Sequence, residues 1–219
     1  MKSAAGAAGD QGMIEDSMCR GAAAANVGVR VEARTGKLSP TEHFLAETLI
    51  RRPSLMSRNG VAYIAVRRWR RSIKAYQIDA LQALKSAPSA DFVDLIADEL
   101  IHTISGVLGS PAFRVVVPVP CSRSAPTTCL PRLVATTLAA RAGAKLVHAL
   151  SIEPASGRSH PKANLRRPRM QLAQPTDQPT LIIDDVATSG AHLEEATRLL
   201  RTPTTPVLAI AWIGGQASD

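Results

Sequence analysis

Two carboxylates stand side by side in the stretch "TLIIDDVATSGAHLEE", residues 180–195. Asp184 and Asp185 follow an aliphatic run, Leu181, Ile182 and Ile183, that reads as a buried strand. Successive strand side chains point to opposite faces, so the two acids should diverge where the strand emerges. One or both can accept hydrogen bonds from vicinal hydroxyls on a sugar. Val186 and Ala187 then lead into Thr188, Ser189, Gly190 and Ala191, a small hydroxylated turn in which glycine permits close backbone approach. The turn opens a helix, whose first N–H groups lack intrahelical partners and attract phosphate. Acids for hydroxyls and a turn for phosphate together make a sugar-phosphate cradle. Asp, Thr and Ser before a helix are also ordinary capping residues, but a cap needs one of them rather than the whole run.

A second strand end carries chemistry. "VVVPVPCSR" places Cys121, Ser122 and Arg123 after a β-branched run stopped by prolines. A guanidinium grips phosphate with paired hydrogen bonds; the alternative for Arg123 is an ordinary surface arginine. The Pro-rich segment 153–179 carries Arg158, Lys162, Arg166, Arg167 and Arg169, with no acid between Gly157 and Gln174. It reads as a phosphate-covering loop, a solvated basic loop or a nucleic-acid contact. Residues 51–85 hold nine Lys/Arg against one acid, Asp79, with Trp69 and Tyr76 interleaved. Charge with stacking suits nucleic acid; the same rings could pack in a core. His43, His102, His148 and His160 show no metal-ligand spacing, so no protein metal site is expected.

These strand ends need a scaffold. The chain has 219 residues, 45% hydrophobic but only 3% aromatic, which implies an aliphatic core. A net charge of +8 favours an anionic partner. Residues 1–38 are Ala/Gly-rich without sustained periodicity and are expected to be a disordered tail, with "NVGVRVEAR" as a possible short strand. Residues 39–219 are expected to form one domain. "SPTEHFLAETLIRR" starts a helix, with Ser39 as cap, Pro40 in the first position and Glu42 in the third. "GVAYIAVRRW" reads as a strand and "AYQIDALQALKS" as a helix through Ile78, Leu81 and Leu84. "ADFVDLIADELIHTISGVL" is the clearest amphipathic helix, with Phe92, Leu95, Ile96, Leu100 and Ile104 on one face. "FRVVVPVP" (strand), "PRLVATTLAARAG" (helix), "AKLVHALS" (strand), the 153–179 loop, "TLIIDD" (strand), "AHLEEATRLLRT" (helix) and "TPVLAIAWIGG" (strand) complete it. This alternation predicts an α/β domain with a mostly parallel sheet flanked by helices, and ligands in such sheets sit at the C-terminal ends of strands.

Cys19, Cys121 and Cys129 are an odd count without a CxxC pair, so no zinc ribbon or disulfide framework can be read. A reducing interior is the easier home. No apolar run approaches a bilayer span, and the expectation is a soluble cytoplasmic protein without membrane contact.

"LIIDDVATSGAHL" resembles the PRPP-binding motif of the type I phosphoribosyltransferases, where PRPP is 5-phosphoribosyl 1-pyrophosphate. Within that superfamily the wider chain, roughly residues 60 to 213, resembles the ComF family. "AYQIDALQALKSAPSADFVDLIADEL" matches the layout before its first binding strand, "VVVPVPCSR" its Pro-Val-Pro loop, and "RSHPKANLRRPRMQLA" its Arg/Asn-containing loop. The resemblance implies that Asp184 and Asp185 contact the ribose 2′- and 3′-hydroxyls. It implies that Thr188, Ser189, Gly190 and Ala191 hold the 5-phosphate, and that Pro120, Cys121, Ser122 and Arg123 contact pyrophosphate. Asp184, Asp185 and Arg123 would be the catalytic set, with Val186 to His192 completing the binding segment. The implied activity is phosphoribosyl transfer between PRPP and an unidentified nitrogenous base with pyrophosphate release. Mg²⁺ would arrive with PRPP rather than in a protein cage. The alternative is a non-catalytic PRPP- or nucleotide-binding module in DNA uptake or its regulation, with nucleic acid held through 51–85 and 158–169.

Four departures bear on the choice. The family's zinc-ribbon cysteines are missing. His192 stands where the loop usually ends in a hydroxyl residue; it could donate to the phosphate or point to solvent. The Arg-Gly-Phe-Asn-Gln stretch after the Pro-Val-Pro loop is absent, with "TTCLPRL" in its place. Ala187 is small where a larger residue is usual. Thr188 replaces the acid used by 6-oxopurine enzymes and argues against that substrate class.

Overall fold

The computed structural model describes residues 39–69, 75–109, 112–121, 129–152 and 170–215. The expected tail, 1–38, lies outside these residues, and so does "NVGVRVEAR".

Helix α1 (Pro40–Thr48) starts as its sequence predicts. Glu42 N–H donates to Ser39 Oγ at 3.3 Å, and Ser39 N–H donates to Glu42 Oε2 at 2.6 Å. Two orphan donors are thereby satisfied reciprocally. The helix does not run on through "LIRR", as the sequence suggested. It stops at Thr48, and Ile50–Arg58 form strand β1. Pro53 cannot continue a helix and is tolerated here on an edge strand, where the register slips between Arg51 and Ser54. Asn59 (φ 47°) and Gly60 (φ 80°) turn the chain into β2 (Val61–Arg68), with both central residues left-handed.

The remaining elements are α2 (Ala75–Ser86), α3 (Ala90–Leu108), β3 (Val115–Pro118), α4 (Leu130–Ala142), β4 (Lys145–Leu146), β5 (Leu150–Ile152), β6 (Met170–Leu172), β7 (Thr180–Ala187), α5 (Ala191–Leu200) and β8 (Val207–Gly214). Two expectations need correction. "AKLVHALS" is not one strand: β4 pairs with β3, whereas β5 pairs antiparallel with β6 in a separate two-stranded sheet. Strand β6 falls inside the segment expected to be all loop. Ile78, expected on the apolar face of α2, is 43% exposed, while Leu81 and Leu84 are buried.

The main sheet has the order β1-β2-β8-β7-β3-β4. All neighbours are parallel except the β1–β2 hairpin at the edge. The α/β class with a mostly parallel, helix-flanked sheet is therefore as the sequence predicts. One core gathers Leu181 and Ile183 of β7 with residues of α1 to α4. The other gathers Ile182 with Leu193, Ala196 and Leu200 of α5. Helices thus cover both faces, with α4 and α5 on opposite sides.

Trp69 is 6% exposed and belongs to the first core, which removes it as a stacking platform; Tyr76 is 60% exposed. Cys121 and Cys129 form a disulfide with Cα atoms 5.9 Å apart. That pairing was not readable from an eight-residue spacing, and it runs against the expected reducing interior. It arises because the end of β3 and the start of α4 lie close together. Among the described residues no helix is long and apolar enough to cross a membrane.

Candidate functional site

The strand order puts a reversal between β7 and β3. From β7 the chain crosses by α5 to β8 on one side; from β3 it crosses by α4 to β4 on the other. These crossovers leave in opposite directions on opposite faces, and in open α/β sheets ligands bind outside the carboxyl ends of the strands at such a point. The ladder continues to that point. Pro118 pairs with Ile183, and Val119 N–H donates to Ile183 O at 2.8 Å. Pro120 and Cys121 therefore run beside Asp184 and Asp185.

The two acids diverge as their alternation requires. Asp185 turns to the face carrying α2, where its Oδ2 lies 2.7 Å from Lys85 Nζ. Asp184 turns to the face carrying α5, where His192 Nδ1 stands 3.8 Å from its Oδ2. Their side chains are only 5–6% exposed. Asp184 Oδ1 accepts from Asp185 N–H at 2.9 Å, but its Oδ2 is buried without a hydrogen-bond partner among the described residues. A buried carboxylate oxygen in that state costs free energy unless a ligand completes it. Burial and the charge of Asp184 push the Asp185 carboxyl up to about 6, against the pull of Lys85. The attraction of Asp184 raises the His192 pKa, burial opposes it, and the charges of Asp184, Asp185 and Glu195 add to it.

The turn is shorter than expected. Val186 and Ala187 belong to β7, paired with Ile213 and Gly214, so only Thr188, Ser189 and Gly190 connect strand to helix. Gly190 is the residue before the first helical position, at φ 70°, and no side chain caps α5. The capping alternative for the acids and hydroxyls therefore fails. Thr188 and Ser189 are exposed, and Ala191, His192 and Leu193 precede the first intrahelical bond, Glu194 N–H to Gly190 O.

The turn is braced from beneath. A Cβ on Gly190 would lie 2.7 Å from Tyr63 Cε1, and one on Gly215 would lie 2.2 Å from Thr188 O. Arg58 donates from Nη1 to Ser189 O at 2.9 Å and from Nε to Glu194 Oε2 at 2.7 Å, while Asn59 also donates to Glu194. The charges of Arg58 and Arg198 offset an acid that would otherwise repel an anion at the helix start.

Among the residues named from sequence, the structure brings Asp184, Asp185, the 186–192 segment and Cys121 together at the carboxyl ends of β7 and β3. Ser122 and Arg123 lie outside the described residues, as do Arg158, Lys162, Arg166, Arg167 and Arg169. The strands flanking that basic segment are paired, Ile152 with Met170, and Met170 N–H donates to Glu195 Oε1 of α5 at 2.9 Å. His192, expected on phosphate or in solvent, is half-exposed and faces Asp184. Arg58 and Tyr63 were not singled out from sequence, and Lys85 entered only as part of the matched stretch "AYQIDALQALKSAPSADFVDLIADEL", without a role of its own. Among the described residues no group of three or more His, Cys, Asp or Glu could hold a metal.

No family model matches the chain, and no curated protein matches it. Among solved structures it is similar to orotate phosphoribosyltransferase from Aeropyrum pernix, at 14% identity over 80% of this chain and 81% of that one, with a TM-score of 0.37. A likeness this loose carries no weight here; the site rests on its own geometry.

Proposed function

We propose that this site binds PRPP and that the chain transfers a phosphoribosyl group between PRPP and a nitrogenous base. The observation that carries this reading is the position of two buried carboxylates at the end of β7, beside the sheet reversal and directly before an uncapped helix start. Ribose hydroxyls match the open oxygen of Asp184, and a 5-phosphate matches Thr188, Ser189 and the N–H groups from Ala191 onward. The type I phosphoribosyltransferase resemblance of "LIIDDVATSGAHL" supports the same assignment; the narrower ComF-like placement rests on sequence resemblance alone.

In the forward step a base nitrogen attacks the anomeric carbon with inversion. The bond from that carbon to the pyrophosphate oxygen breaks, and pyrophosphate leaves with the electron pair. The base proton passes to solvent. Mg²⁺ would enter as part of the substrate, held by phosphate and hydroxyl oxygens, with a hard carboxylate oxygen of Asp184 at the same site. Ser122 and Arg123, next in sequence after Cys121, are assigned to pyrophosphate on the sequence resemblance.

The second reading is a binding module without turnover. The Cys121–Cys129 bridge favours it, because a covalent tie between the ends of the β3–α4 connection restricts the rearrangement that leaving-group chemistry requires. A nucleic-acid role within that reading loses Trp69 and Arg67, both buried.

Calorimetry with PRPP and Mg²⁺ tests the proposal. Asp184→Asn with Asp185→Asn should weaken binding about a hundredfold, from two charge-assisted hydrogen bonds at roughly 1.5 kcal/mol each. A folded double variant that binds as well as the parent rejects the ribose role. Pyrophosphate release with any base from a broad panel rejects the module reading.

A further inference from the structure

The two acids are not equivalent. Both Oδ2 atoms are buried, but Asp185 Oδ2 faces a lysine ammonium at 2.7 Å, whereas Asp184 Oδ2 faces only the His192 imidazole, at 3.8 Å and beyond hydrogen-bond range. Lys85 lies in the last turn of α2 and its side chain is 36% exposed, so it reaches solvent while touching a buried carboxylate. An ammonium has three donors, and one is spent on Asp185. Two remain for other acceptors, and the ligand, on the reading above, carries an anionic group at the anomeric carbon. Two carboxylates alone would repel such a ligand; a cation held between acid and solvent reverses the sign of the field at one side of the pair.

We propose that the acids divide the work: Asp184 accepts a ligand hydroxyl, and Asp185 holds Lys85 so that its ammonium binds the ligand's anionic leaving group. The inference rests on the phosphoribosyl reading and assigns Lys85 as a residue that selects a diphosphorylated ribose over a ribose with a free anomeric hydroxyl. The competing account makes Lys85 a counter-ion that only permits Asp185 to be buried.

Three probes separate these accounts: PRPP with Mg²⁺, ribose 5-phosphate, and inorganic pyrophosphate, each titrated into the full chain. Lys85→Met should weaken PRPP by about ten- to a hundredfold, the range of one charge-assisted hydrogen bond. It should leave ribose 5-phosphate within about twofold, and Lys85→Arg should retain most of the PRPP affinity. Asp184→Asn should weaken both sugar phosphates alike. If Lys85→Met alone does not fold, Lys85→Met with Asp185→Asn removes both charges together, and the loss must still be specific to PRPP. Equal losses for both sugars, or no loss for either, overturn the proposal in favour of the counter-ion. If the parent protein binds neither sugar phosphate, the phosphoribosyl reading falls and pyrophosphate decides: binding that disappears in Lys85→Met keeps the lysine's role, and any other result ends it.

Discussion

His192 Nδ1 lies 3.8 Å from Asp184 Oδ2, across the turn that joins β7 to α5. The imidazole therefore titrates under the influence of a buried carboxylate, which raises its pKa above the ordinary 6.5. A raised pKa means that the charged ring stabilises the folded state fully below 6.5, and that this contribution is lost as pH climbs through the folded value. Ring resonances followed by NMR should show His192 titrating above 6.5, and Asp184→Asn should bring it down. Between pH 6 and 8 the parent should lose more stability than His192→Gln. Parallel stability curves would disprove the pairing.

Arg67 and Glu99 form a buried fork, Nη2 to Oε1 at 2.5 Å and Nε to Oε2 at 2.7 Å, and Trp212 Nε1–H donates to the same carboxylate at 2.9 Å. Removing one partner leaves an uncompensated charge in the core. Glu99→Leu should cost about 3–5 kcal/mol in urea unfolding. A loss below about 1 kcal/mol would mean that water reaches the guanidinium.

Gly190 and Gly143 both have left-handed backbones, φ 70° and 62°, but only Gly190 is crowded. Gly143→Ala meets open space and should cost about 1 kcal/mol from backbone strain alone. Gly190→Ala adds a contact with Tyr63, which is 3% exposed and cannot swing away. Its cost should exceed that of Gly143→Ala by at least about 1 kcal/mol. Equal melting shifts for the two variants would contradict the packing of the turn.

The Cys121–Cys129 bridge is a chemical prediction as well as a structural one. Denatured protein purified without reductant should present one reactive thiol per chain, and reduction should expose all three cysteines. Breaking a bridge over so short a loop should cost about 2–3 kcal/mol. Three thiols before reduction would refute the bridge.

The sequence spoke clearly where local rules dominate. Ser39 and Glu42 announced a capping box, the spacing from Phe92 to Ile104 announced α3, and strand alternation alone separated Asp184 from Asp185. It was silent where partners are distant. Lys85 stands a hundred residues from Asp185, and a lone lysine near a helix end carries no local sign of a distant carboxylate partner. Strand β1 is mostly exposed, so it shows no buried alternation; the Asn59–Gly60 pair was the signal that could have revealed its hairpin. "AKLVHALS" has one hydrophobic pattern but serves two sheets, a division that only tertiary pairing creates.

The order of strands also sets a timetable for synthesis. Strand β8 lies between β2 and β7, yet it is made after both. Until residues 207–214 have left the ribosome, β2 and β7 each present an unpaired edge with no neighbour to close it. The nascent chain must carry two unfinished half-sheets, joined only when one late segment slides between them. A chaperone that shields strand edges would meet this protein at that stage, and a ribosome stalled before residue 207 would leave both edges bare.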